Sequence, residues 1–230
     1  MGTSEFAVPS LRRLVRDQHD ILTVVTQPDH PAGRGRAPAP PPVKRAAQEL
    51  GLPVWQPESL RPPEAVAHLR ELAPEAIVVA AFGQILRPPI LEMPPLGCLN
   101  IHGSLLPKLR GASPIAFAIL DGHNETGVTI ILMDPGMDTG SILAQQAVPI
   151  SDQDTAESLG VALALAGAGL ISETLLRWAR GEITPQPQDD SQATYTRILH
   201  KDDGRIDWNK PAEQLWREVR AYYPWPGTFT

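Results

Sequence analysis

The sequence predicts an α/β fold, a mainly parallel sheet with helices on both faces. Short β-branched and apolar runs alternate along the chain with segments of helical spacing. One of these runs, AIVVAA at 76–81, is apolar throughout, as befits a strand covered on both faces, and GVTIILM at 127–133 is apolar apart from Thr129. Proline stands at the start of helical segments, at Pro63 and Pro114, where its missing N–H leaves no helical bond unmade.

In chain order, Gly2 and Thr3 form a turn, and Val8, Leu11, Leu14 and Val15 give residues 8–17 a helical stripe. Residues 21–26 form a buried strand. Residues 27–42 are rich in Pro and Gly and carry Arg34 and Arg36; so long a loop in an α/β domain points to function. Residues 43–50 are helical and stop at Gly51, and residues 63–72 form a second short helix. After the strand at 76–81 come a strand at 98–102, a helix from Ser113 and Pro114 to about Leu120, and strands at 127–133 and 141–148. The longest helix spans 155–180, with Ser151, Asp152, Asp154 and Thr155 as candidate caps. From 181 to 196 the pattern weakens into a linker rich in Pro, Gln and Asp. Residues 205–223 begin a new apolar stripe through Ile206, Trp208, Leu215, Trp216 and Val219.

At 230 residues and 42% hydrophobic, the chain can bury a sizeable core. The net charge of -6 argues only mildly against a nucleic-acid partner, because binding depends on where basic residues cluster. Cys98 is the one cysteine, which excludes an intramolecular disulfide, and its apolar neighbours mark it as a core residue. No apolar run reaches the ~18 residues of a membrane span, and the first residues do not read as a secretory leader. The expected address is the cytoplasm. No cluster of residues has metal-ligand spacing, so no metal is expected.

The chemistry is concentrated in the strand Leu99-Asn100-Ile101-His102-Gly103. Alternation places Asn100 and His102 on one face, at a strand's carboxyl end, where open α/β sheets bind ligands. The loop Asp134-Pro135-Gly136-Met137-Asp138-Thr139-Gly140 also follows a strand, and an Asp from it is expected to meet His102 across the crevice. Asn, His and Asp together suit acyl transfer to an amine: Asn hydrogen-bonds a developing oxyanion, His moves a proton or donates to that oxygen, and Asp supports the His. Taken singly, each has a structural reading too, as a strand-end hydrogen bonder or a turn residue.

The run from Asn100 to Ile115, NIHGSLLPKLRGASPI, resembles the signature loop of the folate-dependent formyltransferases, and SLLPxxRGAxPI is closest to their tRNA-formylating members. Residues 134–140 resemble the family's DxGxDTG motif, and VTQPDHPAGRGR at 25–36, continued by Pro42, Val43 and Lys44, resembles its tRNA-contacting loop. QPESL at 56–60 and AAFGQIL at 80–86 match as well. The resemblance implies a Rossmann-like formyltransferase fold that moves the formyl group of 10-formyltetrahydrofolate, a co-substrate, onto the amino group of methionyl-initiator tRNA in translation initiation. It implies Asn100, His102 and Asp138 as catalytic residues, with Asn100 and His102 on the formyl oxygen and Asp138 supporting His102. Folate would be bordered by Ser104, Leu105, Leu106 and Pro107. The backbone near Phe82, Gly83, Gln84 and Ile85, and at Met137, Thr139 and Gly140, would hold the pterin. Arg34, Arg36 and Lys44 would grip the acceptor stem.

On this reading residues 1–182 are the catalytic domain, 183–200 a linker, and 201–230 the opening of an oligonucleotide-binding-type β-barrel. The family has a first strand ahead of the turn at Met1, expected to be absent here, with most of the barrel likewise lacking; a monomer without membrane contact is expected. The alternatives are another 10-formyltetrahydrofolate-dependent formyltransferase or hydrolase, or a non-catalytic folate- or RNA-binding fragment. A dinucleotide dehydrogenase is disfavoured, since Gly33 and Gly35 lie in a Pro-rich loop and not in a strand-to-helix turn.

Overall fold

The computed structural model of the chain describes residues 1–32 and 37–230. Helix α1 (Val8–Arg16) leads to strand β1 (Val24–Val25), a Pro-rich antiparallel hairpin of β2 (His30–Ala32) and β3 (Ala37–Ala39), and helix α2 (Pro42–Glu49). Then come β4 (Val54–Trp55), α3 (Pro63–Glu71), β5 (Ile77–Val79), a single turn α4 (Pro88–Leu91) and β6 (Cys98–His102). Strand β7 (Arg110–Gly111) precedes α5 (Pro114–Leu120), β8 (Glu125–Leu132), β9 (Ser141–Pro149) and α6 (Ala156–Ala179). Strand β10 (Tyr195–Thr196) and α7 (Ala212–Ala221) complete the chain.

The central sheet has the order β5-β6-β8-β9, with β5 and β6 parallel and the other neighbours antiparallel. Parallel pairs β1-β4 and β7-β10 flank it. The loop expected over residues 27–42 thus contains a hairpin, which its proline content conceals: Pro31 and Pro38 face each other across it. Met1 and Gly2 run between β1 and β5, with Gly2 N donating to Val25 O, the Met1 ammonium to Val78 O and Ala80 N to Met1 O. Beside them lies a cavity of about 570 Å³ whose walls include Leu14, Leu22, Val24, Ile77 and Val78.

Burial lowers the Met1 ammonium from its ordinary 8.0 to about 6. Between these values the unfolded chain holds more protons than the folded one, so stability rises with pH across that window and is lost as pH falls towards 6. In a polypeptide starting with a free Met1 amine, about 3 kcal/mol of such dependence is expected, and denaturant unfolding should show it vanish on N-acetylation.

Helix α6 covers the sheet. Thr155 and Ser158 exchange hydrogen bonds in a capping box that starts it, and Gly181 at φ +70° follows its end. Leu159, Leu163 and Ile171 are buried, and a Cβ on Gly167 would stand 2.8 Å from Ile101 Cγ2, so only glycine lets helix and sheet approach this closely. The expectation that no segment is long enough for a membrane needs correction: the 24-residue α6 is apolar and long enough by length and composition. Polar residues spaced along the sequence interrupt its apolar run without removing its apolar character. Cys98, wholly buried, has its thiol pushed up to about 12 by burial. It is expected to resist iodoacetamide in the folded protein and to react only on unfolding, as mass spectrometry would read.

Candidate active site

Strand β6 is paired on both sides, by β5 in register Val79 to Asn100 and by β8 in register Thr129 to His102. Leu99 and Ile101 enter the core, so Asn100 and His102 point to the opposite face. His102 is buried and Asn100 half-buried, and among the described residues the Asn100 amide makes no side-chain hydrogen bond.

The segment after His102 folds back over that face. Thr129 Oγ1 donates to Ser104 O and accepts from Leu106 N, while Gln145 Nε2 donates to Leu106 O. Ser104 Oγ donates to Lys108 O. These bonds return Leu109 to β6, where its carbonyl stands 2.9 Å from His102 Nε2. A carbonyl only accepts, so Nε2 carries the hydrogen.

Of the two aspartates left open by sequence, Asp138 meets His102: its Oδ2 is 3.6 Å from Nδ1 and accepts from Gly111 N at 2.8 Å. Asp134 is a turn residue, with Oδ1 accepting from Gly136 N and from Thr139 Oγ1. The route differs from the expected meeting of two carboxyl ends. Strand β8 is antiparallel to β6 and ends beside Leu99, so its loop must fold back, and Asp138 at φ +55° makes that turn. A neutral ring with its hydrogen on Nε2 presents a lone pair at Nδ1. One further proton therefore has two facing acceptors, Nδ1 and the Asp138 carboxylate.

The register brings residues 80–85 out beside the end of β6. Phe82 is buried and Gln84 is tied to Leu60 N and Pro57 O, which leaves Ile85, 75% exposed, as the apolar surface there. Gly83, at φ +80°, keeps the turn open. Ser104 and Leu106 are enclosed, whereas Leu105 and Pro107 keep some exposure. Met137 is exposed, Thr139 half-buried and Gly140 buried. Arg34 and Arg36 lie outside the described residues. Lys44 Nζ is 2.8 Å from both carboxylate oxygens of Asp29, and Gln56 together with Lys44 holds that carboxyl below its usual range. Lys44 is therefore an ion-paired cation.

Sequence reasoning missed Gln188 and the polar network of Arg110. Gln188 reaches the backbone of Asp138 and Gly140, and the fully buried Arg110 reaches Gln188, Tyr195 and Asp190. The signals available were Arg110's place in the SLLPxxRGAxPI motif and the linker's richness in Gln and Asp.

This chain is similar to known proteins over its whole length. The formyl transferase model matches residues 1–175, and the formyl transferase C-terminal domain model matches residues 198–230. It is 54% identical to a methionyl-tRNA formyltransferase of Roseiflexus sp. (strain RS-1), across 100% of this chain and 71% of that protein. It is 55% identical to one of Chloroflexus aurantiacus, across 100% of this chain and 74% of the relative. Among solved structures, an N-formyltransferase from Helicobacter canadensis, in complex with folinic acid and dTDP-3-aminofucose, aligns with a TM-score of 0.71 at 22% identity, covering 96% of this chain and 78% of the other; at that identity the likeness is one of fold. The chain belongs to the formyl transferase family, grouping with its methionyl-tRNA formyltransferases.

Proposed function

We propose that this chain transfers the formyl group of 10-formyltetrahydrofolate to the free amino group of methionyl-initiator tRNA. One observation carries the reading: an Asn100 amide with no side-chain hydrogen bond among the described residues shares a strand face with His102, and Asp138 closes on that histidine. The chemistry needs a donor for the oxygen that gains charge as the amine nitrogen bonds to the formyl carbon, and Asn100 supplies it. It also needs a path for the proton that the amine loses when the bond from the formyl carbon to the folate nitrogen breaks. Asp138 accepts that proton and His102 shares the charge, before the proton passes to the departing nitrogen.

The bond from His102 Nε2 to Leu109 O occupies the nitrogen that would otherwise reach the formyl oxygen. In this geometry His102 acts through Asp138, and contact with the formyl oxygen would require the ring to leave Leu109. Exposed Ile85 and Met137 offer apolar contact for the flat pterin, next to the backbone of residues 82–85 and 137–140. Arg34, Arg36 and Lys44 would meet the acceptor stem, with Lys44 leaving Asp29 for phosphate. A cytoplasmic setting and a monomer are part of this reading.

Incubation with methionyl-initiator tRNA and formyl-labelled 10-formyltetrahydrofolate should place the label on methionine. Label released only as formate would mean a hydrolase; label moved to a sugar amine and not to methionine would overturn the acceptor.

A further inference from the structure

We propose that Gln188 is a positioning residue for this site, holding the Asp138 turn in place through a polar ring closed by Arg110. This deepens the functional reading and rests on it for its kinetic test. Gln188 Nε2 donates to Asp138 O at 2.7 Å and to Gly140 O at 2.8 Å. Its Oε1 accepts from Arg110 Nε at 3.1 Å and Nη2 at 2.8 Å. A side-chain amide has two N–H donors and two lone pairs on oxygen, so every polar valence is used. Carbonyls only accept and guanidinium only donates, so the amide has one possible orientation.

The contact is made where it controls geometry. Asp138 sits at φ +55°, a conformation costly for a residue with a Cβ, and needs its surroundings to hold it there. Gln188 holds its carbonyl and Gly111 N holds its carboxylate. Leu109, Arg110 and Gly111 each reach the site by a different group: the Leu109 carbonyl takes His102, the Arg110 side chain takes Gln188, and the Gly111 N–H takes Asp138. A shift of Gln188 therefore moves Asp138 relative to His102.

Residues 186–196, expected from sequence to be a linker, fasten Gln188 there. Gln186 exchanges backbone bonds with Ile142, Arg110 N donates to Thr194 O, and Leu109 N donates to Thr194 Oγ1. Thr196 Oγ1 donates to Arg110 O. The segment is a strap bonded to both catalytic loops.

Gln188→Leu removes both halves of the clamp at similar volume, whereas Gln188→Glu retains the acceptor for Arg110 and loses the donors to Asp138 and Gly140. Tyr195→Phe removes one Arg110 partner without touching Asp138 and serves as control. Both Gln188 variants are expected to lower kcat about tenfold or more with KM for folate little changed, because small misplacements of catalytic groups are costly. The ¹⁵N resonances of the His102 ring should shift in both and stay in place in Tyr195→Phe. Wild-type kcat and ring resonances in Gln188→Glu would overturn the proposal, because the residue would then serve only Arg110. A fall in Tm with kcat and ring signals unchanged would overturn it too. Should methionyl-tRNA prove not to be the acceptor, the ring resonances still decide the positioning role. Should Gln188→Leu fail to fold, Gln188→Glu carries both readouts.

Discussion

Asn100→Ala is expected to lower kcat for formyl transfer by about 10²-fold or more, with KM for both substrates nearly unchanged, because one oxyanion donor is worth that much in a water-poor site. The expectation rests on where the amide lies. It is half-buried on the face of β6 beside His102 and, among the described residues, makes no side-chain hydrogen bond. Removing it strands no buried partner, so stability should hardly change, which separates this residue from its neighbours in the strand. Leu99, with no exposed surface, would cost about 2–5 kcal/mol as Ala through the cavity left behind, and any effect on rate would be mixed with unfolding. Asn100→Asp keeps the shape, loses the N–H donor and adds negative charge beside a developing negative oxygen, so its kcat should fall further than that of the Ala variant. Steady-state transfer with labelled formyl, alongside thermal melts of both variants, checks the pair. An Ala variant with wild-type kcat would remove Asn100 from the chemistry.

The residues that stood out in the sequence were those whose role lies in their own side chain and strand position. β6 could be read as a strand from its apolar alternates Leu99 and Ile101, and alternation alone put Asn100 and His102 on one face. Helix α6 was equally legible, and of its four candidate caps the structure uses Thr155. What escaped was made of backbone. The partner of His102 Nε2 is the carbonyl of Leu109, and no side-chain pattern reports a carbonyl. Side-chain chemistry alone left Asp138 and Asp134 open and only the resemblance named Asp138; the geometry behind it depends on a left-handed φ after an antiparallel strand, where the sequence suggested a parallel one. Residues 186–196 read as a linker because they bury few apolar groups; they hold by main-chain bonds and by Gln188, whose composition resembles that of a solvated segment. Lys44 read as a free cation for phosphate because sequence distance hid Asp29, fifteen positions away.

Gly111→Ala should be among the most damaging single-methyl additions in the chain. At φ +106° this residue lies outside the left-handed well that Asn and Asp sometimes occupy, in a region that only glycine enters readily. An added Cβ would also fall 2.4 Å from Thr196 O, a backbone atom fixed by the pairing of β7 with β10. Backbone strain and overpacking together give an expected loss of about 2–5 kcal/mol. Relief would require β7 to part from β10, and Gly111 N would then leave the Asp138 carboxylate it donates to. Rate and stability should therefore fall together, unlike in Asn100→Ala. Gly181→Ala supplies the comparison: φ there is +70° and nothing lies within 4 Å of the added carbon, so only the left-handed penalty of about 1–2 kcal/mol applies and kcat should stay unchanged. Urea unfolding and kcat measured on both variants separate the causes. Equal losses of stability would mean that neither the φ of +106° nor the close contact adds to the left-handed penalty seen at Gly181. A larger loss in Gly111→Ala, joined by a fall in kcat, would mean that the backbone conformation and close contact where β7 meets the strap together hold Asp138 in its catalytic geometry.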